Sequence, residues 1–599
     1  MTAPEPTTGA ATDAQPRPLP LQALDVTSLK AVLAELRPAL LPCRFEKAQQ
    51  SASHTLQLGL RGLDHRLWLE ISWQAEAPRL LAIAPPPRSG AGSTLAQQMQ
   101  HGLAALALVE LEQRGWERVL ELRFARRPGD PIVRTLMVEL MGRHSNLFLL
   151  DEQRRVVTLA RQVKEQHSRL RPIGTGDAYV PPPSLQGRSP SLDESFAVWK
   201  SRLTLVPVSL RQALQEAYQG ISPALALQLA GDQPAYAKLL LDQPVRGLAD
   251  QQWQQLWCRW RRWLEVVASG AFQFAPGGSC AYRCWSEAGA QTNASKAQAS
   301  EQPLNRALAG YYAQELGRRL LSQRLGGLRQ RASQAIERER RLLQQQEQLL
   351  AKVEDSDGLQ ERAHSLLSGL APNREQIDEA QRLYRQARKL RRSAAAINPR
   401  IAHHRQRLER LEASLTFMEQ ADDLAQLETL EIELQELHAE SRPSKRPLGP
   451  GGPSAGVTPQ PLELRTGAGL RVQVGRNHRQ NEWISLRQAR RGDLWFHAQE
   501  CPGSHVVLKS SESPAQDEDL RLAADLAAHF SRARGNGRVA VVMVPTEQLQ
   551  RIPGAGAGTV RHKGGEQLWA CPGRAAAWLN RPAAESAEPL PSLGSAQRP

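Results

Sequence analysis

The chain has 599 residues, more than one hydrophobic core can serve, and a length of roughly three to five domains. Lys and Arg number 76 against 61 Asp and Glu, a formal net charge of +15, which favours polyanionic partners: nucleic acid first, an acidic membrane surface second. No apolar run reaches the ~18 residues that a bilayer-spanning helix takes, and six cysteines in a chain this long exclude a disulfide framework and fit a reducing, cytoplasmic compartment.

In chain order, residues 1–20 are rich in Pro, Ala and Thr and read as a disordered arm, without the basic and apolar segments of a secretory signal. Leu24, Leu29, Val32, Leu33, Leu36 and Leu40 recur at helical spacing, with Asp25 or Thr27 as cap. Period-two alternation predicts strands over His54–Leu60 and Arg66–Trp73. Thr94–Glu112 reads as one helix ending near Gly115. Strands follow at Arg118–Phe124 and Arg134–Leu140, then a hairpin of Leu147–Leu150 with Val156–Ala160. Together these make an α+β module over residues 21–183.

Past Pro181-Pro-Pro183, residues 190–275 show short helical patterns, including a helical hairpin with Ser222 as cap and Pro223 in the first turn. Trp253, Trp257, Trp260 and Trp263 fall at helical spacing and read as a core stripe before a base-stacking surface. Cys280 and Cys284 lack a second pair or a spaced His, so they read as core or loop thiols, and no metal or cofactor is expected. Residues 300–440 read as an antiparallel coiled-coil arm. Its outgoing helix, 305–353, carries Leu321, Leu325, Leu328, Ala332, Ala335, Leu342, Leu349 and Val353 in steps of four and three, broken only by Glu339 and Gln346. Asp355–Gly358 turns the chain, and Asn398-Pro399 starts the returning helix with Leu408, Leu411, Leu415 and Met418. Arg382, Tyr384, Arg385, Arg388, Lys389, Arg391 and Arg392 form a basic patch near the far end, either a solvated face or a surface for RNA.

Residues 441–460 are a Pro- and Gly-rich linker. Residues 461–575 form an α/β module with strands at Leu470–Val474, Trp483–Ser485, Leu494–His497, His505–Leu508, Val539–Val544 and Gln567–Trp569 and a helix over Leu520–Arg534; residues 576–599 read as a disordered tail.

The polar turns carry the chemistry. In Gly475-Arg-Asn-His-Arg-Gln-Asn-Glu482, Arg476 and Arg479 suit phosphates, and Asn477, Gln480 and Asn481 suit sugar or base edges; the alternative is a polar hairpin loop. His497 follows Trp495-Phe496 and is either a ligand or a satisfied core histidine. His505 opens a strand after Pro502-Gly-Ser504. Asp493 and Glu500 near these histidines suggest a His/acid pair, but no Ser or Cys nucleophile motif joins it. Met141-Gly-Arg-His-Ser-Asn146 is a tight turn between strands in which Arg143 and His144 suit RNA and Ser145 and Asn146 suit the turn itself; Glu117-Arg118 reads by itself as a local salt bridge. No phosphate loop, dinucleotide turn or His-Glu-x-x-His motif appears.

Three strings resemble the NFACT family, the RqcH/NEMF-type ribosome quality-control factors also labelled fibronectin-binding proteins. They are Leu140-Met-Gly-Arg-His-Ser-Asn-Leu147, Val474-Gly-Arg-Asn-His-Arg-Gln-Asn481 and Asp493-Leu-Trp-Phe-His-Ala-Gln-Glu-Cys-Pro-Gly-Ser-His-Val-Val507. The resemblance covers residues 21–575. It implies an N-terminal NFACT domain, a helical (helix-hairpin-helix-like) domain, the coiled-coil arm and a C-terminal RNA-binding domain. It also implies an adaptor on the obstructed large ribosomal subunit with its peptidyl-tRNA and nascent chain. Such an adaptor recruits charged tRNA, alanyl-tRNA in bacteria, for untemplated alanine tailing that marks the chain for degradation. The ribosome does the chemistry, and a small RNA-binding helper protein is a further expected partner.

By resemblance, Asp25, Glu117, Arg118, Arg143 and His144 are tRNA-side residues. Arg385, Arg388, Lys389, Arg391, Arg476, Asn477, Arg479, His497 and His505 are RNA- or ribosome-side residues. Three positions depart from the family pattern. Glu117-Arg118 stands for an Asp-Arg pair, Asp25-Val26 for Asp-Gly, and Met99-Gln100-His101 for Leu-Arg-Lys. These departures motivate an alternative, a member that binds subunit and tRNA without tailing. A surface fibronectin-binding adhesin is a remoter reading. The N-terminal module also resembles formamidopyrimidine-DNA glycosylases, whose N-terminal proline is Thr2 here.

Overall fold

A nine-stranded sheet organises the first of two compact units, Met1–Gly317; Arg318–Pro599 is the second. The structure, a computed structural model, describes residues 21–87, 90, 92–166, 168–276, 278–286, 303–351, 356–369, 373–439, 458–552 and 556–580. The expected N-terminal arm and residues 441–457 of the linker lie outside them.

The strands of the first sheet are β1 (Cys43–Ala52), β2 (Thr55–Arg61), β3 (Arg66–Ser72), β4 (Arg79–Ile83), β5 (Ala107–Gln113), β6 (Val119–Ala125), β7 (Ile132–Glu139), β8 (Asn146–Leu150) and β9 (Val156–Leu159). Their order is β4-β3-β2-β1-β5-β6-β7-β8-β9, and every pairing is antiparallel. Chain neighbours thus pair almost throughout; β1 beside β5 is the one crossover. Helix Val26–Leu40 buries the expected Leu29, Val32, Leu33, Leu36 and Leu40 in the core with Leu56, Leu58, Leu60, Leu120 and Leu122. Thr94–Glu112 is not one helix. The helix is Thr94–Gly102, capped by Ser93, and Ala105 turns the chain at φ +62 into β5. Apolar residues at 103, 106, 108 and 111 fit either period, and alanine gives no sign of a left-handed turn.

The helices between Phe196 and Ser269 close around Trp199, Trp253, Trp260, Trp263 and Trp285. Trp199 meets Trp253 edge-on with centroids 5.7 Å apart. The tryptophan stripe is core, with Trp257 half-buried against Phe196. Strands β10 (Ala275–Pro276) and β11 (Tyr282–Arg283) form a small ribbon, and Cys280 and Cys284 are buried.

Helix Leu304–Ala351 begins on the first core through Leu304, Leu308 and Tyr312. In the second unit its shielded positions are Leu321, Leu325, Leu328, Ala332, Ala335, Ile336, Glu339, Leu343, Gln346, Glu347 and Leu350. The expected positions from Leu321 to Ala335 are shielded, as are Glu339 and Gln346, but Leu342 and Leu349 are 37% and 45% exposed and their neighbours Leu343 and Leu350 are the half-buried ones. A strict 3.5-residue repeat drifts against a 3.6-residue helix, and an inserted step of four restores the phase. Helix Arg374–Glu419 packs antiparallel to it, with ion pairs Arg340–Glu412 at 2.8 Å and Arg405–Glu347 at 2.7 Å. This helix runs through Pro399 instead of starting there, with Ile397 and Ile401 buried on either side. Helix Ser356–Leu367 occupies part of the expected turn and packs Leu359 and Ala363 on Ala380, Leu383 and Ala387. Helix Leu424–Ala439 completes this region.

The second sheet contains β12 (Leu462–Arg465), β13 (Arg471–Val474), β14 (Leu494–Ala498), β15 (Val506–Leu508), β16 (Val539–Pro545) and β19 (Glu566–Ala570), in the antiparallel order β12-β13-β15-β14-β16-β19. Strands β17 (Leu549–Arg551) and β18 (Val560–His562) pair separately. Helix Asp517–His529 covers one face. On the other, Ile484 and Leu549 pack on Trp495, Val507, Val542 and Val544. Trp483–Ser485 is helical, not a strand: helix His478–Glu482 passes into a helical turn over Trp483–Arg487. The expected tail begins too early, since Ala576 lies within helix Pro572–Leu579, whose Ala575 is buried.

Candidate nucleic-acid interface

In the first unit a cavity of about 800 Å³ is lined by Asp25, Trp116, Glu117, Arg118, Met141, Gly142, Tyr218, Ser222 and Cys280, among others. The β5–β6 turn delivers Trp116 to Arg118, and the Arg118 carbonyl accepts from the Leu140 amide at 2.9 Å, which fixes the Met141–Gly142 turn beside it. Gly142 takes φ +59, a left-handed conformation that glycine adopts without steric cost.

Arg118 is the least committed charge here. Its one hydrogen bond among the described residues runs from Nη1 to the Leu24 carbonyl at 3.4 Å. Burial pulls its pKa down, opposed by Asp25 and Tyr312. A guanidinium stays protonated all the same, and a desolvated one gains most from an anion. Glu117 does not pair with it; its Oε1 accepts from the Leu185 amide at 3.3 Å.

Asp25 takes the cap position that the sequence offered it and is withdrawn from the surface. It is 5% exposed. Its Oδ1 accepts from the Ser28 amide and hydroxyl, both at 2.8 Å, and its Oδ2 from the Ser222 hydroxyl at 2.7 Å. It caps helix Val26–Leu40 and ties that helix to the cap of helix Pro223–Ala230. Arg143 and His144 are exposed and touch each other at 3.0 Å. Of the departing triplet, Met99 is buried, Gln100 accepts from the Ala48 amide at 2.7 Å, and His101 bonds the Gln97 carbonyl. Lys30, 5.1 Å over the Trp116 ring, and Trp116 itself were not singled out from the sequence; Gly115 before Trp116-Glu117-Arg118 was the available signal.

The Gly475–Glu482 turn is spent inward. Asn477 is 4% exposed and caps its helix, its Oδ1 accepting from the Gln480 amide at 2.8 Å. Arg476 pairs with Asp422 at 2.8 Å and lies over Phe530; Arg479 pairs with Glu436 at 2.6 Å. His478 is buried between the Ser414 hydroxyl and the Arg410 carbonyl, each 3.0 Å away, and burial pushes it down to about 4. Glu433 accepts from the His478 and Arg479 amides at 3.2 and 3.1 Å, and burial raises it to about 7. Asn481 joins this turn to the next motif by accepting from the His505 amide at 3.0 Å.

His505 is 5% exposed and bonds the Ser485 hydroxyl at 2.8 Å. His497, half-buried, stacks on Trp495 with centroids 5.6 Å apart; burial holds it near 4. Asp493 bonds Lys509 and Ser511, so no His/acid pair forms with it. Asn477 and His505 are thus framework groups, and the expectation that they face RNA is not met by their positions. The basic patch divides. Arg385, Arg388, Lys389 and Arg392 line one shallow concavity without an acid in its lining, whereas Arg391 bonds Asp357 at 2.8 Å.

Among the described residues no helix is long and apolar enough to cross a membrane. The NFACT N-terminal and middle domains match residues 25–369 and 369–447, and the NFACT protein RNA binding domain matches residues 463–564. A relative from Streptococcus suis (strain 05ZYH33), "Rqc2 homolog RqcH", is 25% identical over 91% of this chain and 97% of its own. The protein of that name from Bacillus subtilis (strain 168) is 23% identical over 77% and 82%. The solved C-terminal part of a Streptococcus suis fibronectin/fibrinogen-binding protein is 29% identical over 42% of this chain and 95% of its own, with a TM-score of 0.35. The domain matches take in nearly all of the described residues in a single order, and the chain belongs to the NFACT family.

Proposed function

We propose that the chain is a ribosome quality-control adaptor that binds RNA through both units. The relatives named as Rqc2 homologues and the RNA-binding domain support the ribosomal setting. The observation that carries the finer reading is Arg118. It is a desolvated guanidinium with one weak protein bond in an 800 Å³ cavity. A phosphate or base edge of charged tRNA satisfies it, with Glu117 beside it and exposed Arg143 and His144 following Gly142. Arg385, Arg388, Lys389 and Arg392 take ribosomal RNA phosphates on the helical arm. In this reading the large subunit holds the obstructed peptidyl-tRNA, alanyl-tRNA is the recruited substrate, and peptide bonds form in the ribosome, so the chain is not itself a catalyst.

The test is affinity purification from cells with RNA sequencing and mass spectrometry. Large-subunit RNA in excess of small, one dominant tRNA and nascent chains ending in alanine runs are expected. Large subunits without a selected tRNA or tails would establish the non-tailing member, a reading that Met99-Gln100-His101 favours because Met99 is buried and two formal charges are missing. No ribosomal RNA at all would overturn both.

A further inference from the structure

All thirteen tryptophans lie in the described residues, and Trp569 alone among them is exposed, at 62%. It sits on β19, the outermost strand of the second sheet, directly opposite Ala540. The next cross-strand row on that face is Gln567, Val542 and His497. Gln499, two positions beyond His497, donates its amide to the Ala540 carbonyl at 2.9 Å. Ile484 and Leu549 cover this face over Trp495 and Val544. Around Trp569 the neighbours are alanine and glutamine, and no aromatic or cationic group stacks on the ring among the described residues.

Charge gathers at the same end. Arg538 is exposed in the turn that leads into β16, and no carboxylate is within 4 Å of it among the described residues. Arg538 immediately precedes β16, two positions before Ala540, and extending the strand's alternation by one residue puts it on the Trp569 side. Of the nearby acids, Glu566 pairs with Met543, which belongs to the helix-covered face, and Glu500 follows Gln499 in a left-handed turn.

An exposed indole with the Gln499 and Gln567 amides on its face and the Arg538 guanidinium at the same end of the sheet matches the chemistry of single-stranded nucleic acid. Every base offers a π-face for stacking, and the backbone offers phosphates. We propose that Trp569 is a stacking platform for an unpaired base of single-stranded RNA, with Gln499 and Gln567 at the base edge and Arg538 on the adjacent phosphate. The site rests on the reading that this domain binds RNA, and it adds the surface and the preference for an unpaired strand.

The test uses the full chain and a fluorescent twelve-nucleotide oligouridine, with a duplex of equal length as comparison. Stacking is worth ~1–3 kcal/mol per base, so Trp569→Ala is expected to weaken single-strand binding about five- to hundredfold. Trp569→Phe keeps most of the affinity. Trp569→Leu, which stays apolar but has no π-face, does not. Arg538→Glu weakens binding and flattens its salt dependence. Unchanged thermal unfolding of the Leu variant separates lost stacking from lost fold. The proposal is overturned if Trp569→Leu binds the oligouridine as wild type does, or if the duplex is preferred. The same variants are used to co-purify ribosomes. Large subunits retained with oligouridine binding unaffected would remove this site and leave the adaptor reading. No ribosomal RNA from any variant, with oligouridine binding still dependent on Trp569, would keep this site and remove that reading.

Discussion

Arg118 and Arg476 are both guanidinium groups in short turns beside strands, and the chain disposes of them in opposite ways. Arg476 is 12% exposed, paired with Asp422 and stacked on Phe530. Around it Asn477, His478, Arg479, Gln480 and Asn481 each have a partner within the second unit. Arg118 lies in a cavity with one long bond, and Asp25, the carboxylate whose charge acts on it, has both oxygens bonded elsewhere. Density of polar residues therefore does not measure readiness to bind. What matters is whether a donor's own neighbours have already satisfied it. Folding the Gly475–Glu482 turn uses its polar groups to dock one helix end on Glu433, whereas the Arg118 turn leaves capacity for an outside ligand.

That contrast breaks most visibly at Glu433. Its rise from 4.5 to about 7 through burial corresponds to ~3 kcal/mol. Because the folded carboxyl holds its proton where the unfolded one has lost it, this group's contribution is full below pH 4.5, falls with rising pH, and is level above about 7. His478 and His497, held near 4, slope the other way between pH 4 and 6.5. The readout is accordingly the difference between wild type and Glu433→Gln in urea unfolding of the second unit. Glu433→Gln should gain relative to wild type from pH 5 to pH 8, and a pH-independent difference would mean that the carboxylate is better solvated than its position implies.

Arg118→Ala should lower tRNA association about ten- to hundredfold, the worth of one or two charge-assisted hydrogen bonds at ~1.5–3 kcal/mol, with thermal unfolding little changed. Arg118→Lys should recover only part, since an ammonium lacks the planar fork. Filter binding with purified tRNA reads both. Arg476→Ala should change tRNA and rRNA binding less than about twofold; an effect as large as that of Arg118→Ala would erase the distinction between the two arginines. Asn477→Ala should cost ~1 kcal/mol of second-unit stability through the lost cap, with RNA affinity per folded molecule unaltered.

The sequence made the architecture largely readable because strand alternation in β2, β3 and β6 and the tryptophan spacing are strong local signals. It misled where two periods coincide, as between Leu103 and Leu111, and where burial beats local propensity, as when Ile397 and Ile401 carry a helix through Pro399. The heptad reading failed at Leu342 and Leu349 because Leu343 and Leu350 beside them are equally apolar, so either register satisfies the pattern there. Within the candidate interface, the residue types at 117–118 and 143–144 were readable. The commitment of His505 was not, because Ser485 and Asn481 become its neighbours only on folding; that of Asn477 is a local cap on Gln480, hidden because the five-residue helix it starts has no apolar period to announce it.

Asp25 has a consequence for genetics. One carboxylate joins the N-terminus of helix Val26–Leu40 to the Ser222 cap of another helix, and that junction forms part of the wall around Arg118. An allele at Asp25 would therefore fall into the same phenotypic class as one at Arg118 in any survival screen, though one would misplace the wall and the other would remove the ligand's anchor. Protease resistance of the purified variants would sort them: Asp25 alleles become easier to cut, and Arg118 alleles do not.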